Sequence, residues 1–142
     1  MNKSEAIDAC KNNGFFRHWM PVGQRIALVT ALKGEESAGF VRMLSDLKTR
    51  IETMPKTGET DDQGDEAIVY LHYFKGSVDA WITEKDIQLP GENGNQIQAF
   101  GKICLTGSRE DSEWGYISVE ELIQNGVELD LYWTPKPLKS VW

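Results

Sequence analysis

The sequence predicts an α+β fold in which N-terminal helices pack on a mainly antiparallel sheet of about five strands, with one short inserted helix. Three observations lead there. The spacing of apolar residues changes from a helical period to strict alternation near residue 55. The alternating segments are short and joined by Gly-, Ser- and Asn-rich turns, as antiparallel connections require. One S-x-x-E start signal, Ser118 to Glu121, interrupts the strand pattern late in the chain. The 142 residues suit a single domain, a helical part over 1–55 and a sheet-bearing part over 56–142.

The elements follow in order. Ser4 is placed to cap a helix running to about Asn12, with Gly14 at its left-handed closing position. The aromatic stretch FFRHWMP, closed by Pro21, interrupts it. A second helix fits Gly23 to Leu32. The third is the clearest: Phe40, Met43, Leu44, Leu47, Ile51 and Met54 make one continuous stripe on a 3.6-residue period, stopped by Pro55. Such a stripe is a core face, and this helix is expected to cover one face of the sheet. Residues 56–66 read as a polar loop.

Strand signals occupy the remainder. AIVYLHYF (67–74) is rich in β-branched and aromatic residues. KGS (75–77) is a tight turn, and VDAWITE (78–84) alternates Val78, Ala80 and Ile82 against Asp79, Trp81 and Thr83. LPGENGN (89–95) reads as a loop, and QIQAFGKICL (96–105) as a third strand in which Gly101 marks a bulge or a close backbone approach. WGYIS (114–118) is a short fourth strand. The capped helix then runs to Gly126. VELDLYW (127–133) is the last strand, with Val127, Leu129, Leu131 and Trp133 on one face; Pro135 and Pro137 prevent its continuing inside a sheet.

Charge is unevenly divided. Residues 1–55 carry eight Lys/Arg against six Asp/Glu, and residues 56–142 carry seven against sixteen, which gives the net −7. A surface of that sign repels phosphate and attracts basic partners, so direct nucleic-acid binding is disfavoured. The densest run is ETDDQGDE, with Glu59, Asp61, Asp62, Asp65 and Glu66. As a calcium loop it fails: Glu59, Asp61, Gln63 and Gly64 fit the early positions, but Tyr70 stands where a bidentate Glu is required and a strand follows.

Other chemistries have little to work with. His18 and His72 are the only histidines, too few for a three-histidine zinc site, and no H-x-E or H-x-x-x-H spacing occurs. An acid/base pair of His72 with Glu84 or Asp86 is the one histidine arrangement the strand order suggests. Cys10 and Cys104 form no C-x-x-C pair and have no adjacent His or cation cluster to activate them. There is no nucleophile elbow and no phosphate-cradling loop. No apolar run reaches transmembrane length, and the start MNKSEAIDAC lacks a signal's apolar stretch, so a cytoplasmic protein with no membrane partner is expected. No cofactor and no resident metal are expected. Trp81 shares a strand face with Asp79 and Thr83 and is expected to face outward or lie under the inserted helix, an anchor for a partner if exposed; the simpler expectation is that it packs under a loop or against the N-terminal helices, because aromatics bury large areas.

Several ordered signals carry a resemblance: LHYF, DAWITEKD, QAFGKICL and GYISVEELIQNGVELDLYWTP. Over about residues 54–141 the chain resembles a bacterial domain-of-unknown-function family borne on plasmids, integrative elements and prophages, with relatives inside the large polyvalent proteins of such elements. Members more often have an aromatic pair where this chain has Ala80-Trp81, and one acid fewer at Asp61-Asp62. The resemblance carries over no catalytic residue. It implies a mobile-element accessory protein working in the bacterial cytoplasm near genes that blunt host defence.

The expectation is a non-enzymatic binding protein. Its partner would be a basic host protein such as a nucleic-acid-binding CRISPR or restriction complex, met by an acidic face. The residues expected on that face are Glu59, Asp61, Asp62, Asp65, Glu66, Trp81, Glu84, Asp86, Glu128 and Asp130. Two alternatives stand beside it. A small scaffolding domain would dock through its sheet edge or inserted helix, and an enzyme would gather carboxylates around a metal.

Overall fold

The computed structural model describes residues 1–87 and 96–141, so the loop expected over 89–95 lies outside the described residues. The architecture is α+β. Helices α1 (Lys3–Cys10), α2 (Val22–Leu32) and α3 (Ser37–Thr53) precede the strands. Strands β1 (Ile68–Val69), β2 (Leu71–Lys75), β3 (Val78–Glu84), β4 (Ala99–Cys104) and β5 (Glu113–Ile117) follow. Helix α4 (Val119–Gln124) is inserted before β6 (Glu128–Leu129) and β7 (Lys136–Pro137). Five strands form one antiparallel sheet in the order β5-β4-β3-β2-β6, and β1 pairs with β7 in a separate ribbon. Among the described residues, no helix is long and apolar enough to cross a membrane.

The helices cover one face of the sheet. Leu44, Leu47, Ile51 and Met54 of the α3 stripe are buried in one core with Leu71, Tyr73, Ala80, Ile82, Ala99, Ile117 and Leu129. The 3₁₀ turn Phe15–His18 and the residues after it send Phe16, Trp19 and Met20 into the same core. There the Tyr73 hydroxyl donates to Trp19 O at 2.6 Å. Burial accordingly pushes the Tyr73 phenol far up from its ordinary value.

Several details depart from the sequence reading. Asn2, not Ser4, caps α1, through a reciprocal box with Glu5. Gly14 is extended, with φ −92°, not left-handed; it is needed because a Cβ there would lie 2.2 Å from Asp8 O. The segment 67–74 is two strands: after Val69 the chain leaves its pairing with β7 and enters the main sheet at Leu71. Ser118 accepts from the Glu121 N–H as expected, and Gly126 closes α4 at φ 72°.

The last strand is shorter than the alternation over 127–133 implies: after Asp130, whose N–H still donates to His72 O at 2.8 Å, the chain turns, with Asp130 Oδ1 accepting the Tyr132 N–H at 3.0 Å. Gln24 of α2 donates through Nε2 to Leu129 O at 2.7 Å and accepts the Leu129 N–H at 3.0 Å. That side chain occupies both backbone groups of Leu129 on the outer side of the strand. Trp133 does not share Leu129's core. It joins a second cluster on the other face of the sheet, with Val69, Trp81, Cys104 and Leu138.

Candidate functional site

The acidic loop is built from its root upward. Pro55 follows α3, and Lys56 bridges to Lys85, which follows β3. The Lys85 ammonium donates to Ile51 O and Glu52 O, satisfying carbonyls at the end of α3. Burial, and then Lys56, push the Lys85 amine down from its ordinary value, against a smaller pull from Glu52 and Glu59. Thr57 reaches across to Lys85 O and Gln98 O.

Glu84 completes the root. It is 1% exposed, and its carboxylate accepts from Gly58 N–H at 3.0 Å, Thr60 N–H at 2.6 Å and the Thr60 hydroxyl. A buried charge spent on three local donors fixes the path of the loop. Beyond that anchor Glu59, Asp61, Asp62, Asp65 and Glu66 are all exposed. Glu66 pairs with Lys139 at 2.8 Å; among the described residues Asp61, Asp62 and Asp65 form no ion pair.

The other expected members of an acidic face are placed differently. Glu84 is a buried anchor and does not reach a partner; its parity with Ala80 and Ile82 already pointed inward. Asp86 is buried too, its Oδ2 accepting from the Ile97 and Gln98 N–H groups. Trp81 is 5% exposed, under neither solvent nor the inserted helix: Leu138 of the C-terminal segment packs with it. Glu128 is exposed but pairs in register with Phe74, toward the β2–β3 turn and away from the Glu84 end of β3. The ten residues therefore do not form one continuous patch. The five loop carboxylates are the coherent part.

A second constellation surrounds His72. Its Nε2 lies 2.8 Å from Asp79 Oδ1 and its Nδ1 3.0 Å from Asp130 Oδ2. Glu84 and Asp86 are not its partners. Both contacts are hydrogen bonds only when each ring nitrogen, or the carboxylate facing it, carries a proton. The ring stacks against Phe74 at 5.7 Å and Trp81 at 5.9 Å, with Trp133 at 5.0 Å. Asp130 is held in turn by the Tyr132 N–H on its other oxygen, 3.0 Å away. Asp79 lines a recess of about 400 Å³ whose walls also include Trp133, Arg109 and Lys136.

This centre was within reach of the sequence. The KGS turn pairs Lys75 with Val78, which puts Phe74 opposite Asp79 and His72 opposite Trp81, so His72 and Asp79 are diagonal neighbours on one face. Asp130 had no such signal, because it lies past the truncated β6.

Toward the β5 edge the same outer face carries Phe100, Lys102, Trp114 and Tyr116. Phe100 stacks on Trp114 at 5.7 Å and meets Tyr116 edge-on at 5.6 Å; the Lys102 ammonium lies 5.7 Å from the Trp114 ring centre. Tyr116 is 69% exposed. Among the described residues, no three His, Cys, Asp or Glu side chains converge as metal ligands. No protein-family model, curated protein or solved structure matches the chain.

Proposed function

We propose that the protein is a mobile-element accessory that binds a basic host protein through its acidic loop and thereby blunts a nucleic-acid-targeting defence, a CRISPR or restriction complex. The observation that carries this reading is the buried Glu84 anchor at Gly58 and Thr60, continued by the turns Gln63 N–H to Thr60 O and Glu66 N–H to Gln63 O, which together hold the backbone under five exposed carboxylates. A run of acids on a floppy loop only aids solubility. Acids held in one arrangement present a patterned negative charge, as a phosphate backbone does, without the entropy cost of ordering on binding. The bacterial setting comes from the ordered motifs LHYF, DAWITEKD and GYISVEEL.

The test is functional. Bacteria with an active restriction or CRISPR system are transformed with a targeted plasmid while expressing the protein or its Asp61→Asn/Asp62→Asn/Asp65→Asn variant. The native chain is expected to raise transformation about tenfold or more, and the neutralised variant to lose most of that gain. Equal protection by both proteins removes the acidic-loop mechanism. No protection against any system tested removes the counter-defence role.

A second reading rests on the β5 edge, where Trp114 and Tyr116 stand exposed beside a strand side with no partner among the described residues. A scaffolding domain would add a partner's strand there. It predicts partner binding that is insensitive to loop charge and abolished by Trp114→Ala with Tyr116→Ala.

A further inference from the structure

We propose that the recess beside His72 is a binding site for a small zwitterion, a free α-amino acid, with its ammonium on Asp79 and its carboxylate toward Lys136. The recess of about 400 Å³ lies within the range of roughly 300–1,000 Å³ usual for small-molecule sites. Its walls come from β2, β3, β4, the turn after β4 and the C-terminal segment, so the fold converges on it from five directions.

Opposite charges share one concave wall. Asp79 is one-third exposed; its Oδ1 is taken by His72, and among the described residues its Oδ2 has no hydrogen-bond partner. The Asp79–His72–Asp130 group keeps a net negative charge whether or not the imidazole is protonated. Lys136 does not neutralise it: its ammonium lies 4.6 Å from the Trp133 ring centre and forms no ion pair with Asp79. The two ends of the wall select by exclusion. A dicarboxylate or phosphate ester meets Asp79, and a simple amine meets Lys136. A molecule with an ammonium and a carboxylate a few bonds apart satisfies both ends. Trp133 supplies an apolar wall for the ligand's side chain, since its indole N–H is already donated to Val69 O at 2.9 Å.

The experiment is calorimetric titration of the full chain with the common free L-α-amino acids. N-acetyl derivatives, which lack the ammonium, and amino-acid amides, which lack the carboxylate, are run in parallel. Saturable binding of at least one free amino acid is expected, with its N-acetyl and amide forms weaker by about tenfold or more. Asp79→Asn and Lys136→Met are each expected to weaken that binding by about tenfold. Lys136 is exposed, so its variant keeps the test valid should Asp79→Asn disturb the fold. The proposal is overturned if no free amino acid binds at about 10 mM. It is equally overturned if the capped derivatives bind as tightly, or if Lys136→Met leaves affinity unchanged.

Discussion

Glu84 holds three loop donors from inside the protein, so its removal is the most direct test of loop order at the residue scale. Glu84→Ala removes the acceptor of those half-buried donors and is expected to cost about 2 kcal/mol in urea denaturation. Limited proteolysis should then cut near residues 57–63, where the native chain resists; an uncut variant of native stability would contradict the anchoring role. His72 carries a different prediction. His72→Ala deprives Asp79 and Asp130 of their shared hydrogen-bonding partner and removes a ring packed among three aromatics, and a loss of about 2 kcal/mol is expected with a change in tryptophan emission. Cys10 sets a pH dependence. Burial, opposed by a weaker pull from Arg25, pushes its thiol up to about 11 from an ordinary 9.0. The unfolded chain therefore ionises first, and stability present below pH 9 falls between pH 9 and 11, by up to about 1.4 kcal/mol per unit. Tyr73, also raised by burial, adds a fall of the same sign above its ordinary 10.0. Cys10→Ala should flatten the decline between pH 9 and 10 in denaturation midpoints; an unchanged slope there would assign it elsewhere.

Among the elements, β3 and β4 meet where Gly101 stands. A Cβ at that position would lie 2.0 Å from Trp81 O, next to the register shift between Ile82 and Glu84. Gly101→Ala must push the two strands apart, and a loss of about 3 kcal/mol is expected, read as a drop in melting temperature. A native-like melt would mean that the strands part easily. Gly101 was legible as a close approach because a glycine inside an apolar alternation has few other uses. The α3 stripe was legible because it follows one period and packs on one core, and β3 because its alternation sends Ala80 and Ile82 into that core and Trp81 into the cluster on the other face. The last strand was not: its outer edge is closed by Gln24, a polar side chain 105 residues away, and the Asp130 carboxylate is drawn to His72 and the Tyr132 N–H where the alternation would have continued. No local pattern carries that information. Nor could alternation alone break 67–74 at Tyr70, since both halves are strands and only their partners differ.

At the scale of the whole molecule, the sign of the charge was readable but its distribution was not. Composition places nine more acids than bases after residue 55, yet Glu84 and Asp86 are consumed inside, Asp130 is bound to His72, and Glu128 lies toward the other end of the sheet. Of the acids expected on one face, those that remain together are in the loop, with Asp61, Asp62 and Asp65 exposed. The account's central claim is that these carboxylates are the docking surface. Immobilised native chain and the Asp61→Asn/Asp62→Asn/Asp65→Asn variant, exposed in parallel to one bacterial extract at low and at raised salt, measure it by quantitative mass spectrometry. The account predicts a basic, nucleic-acid-binding protein retained by the native chain at low salt, depleted about tenfold on the variant, and released as salt rises. The same proteins held equally by both chains at both salt concentrations would contradict it.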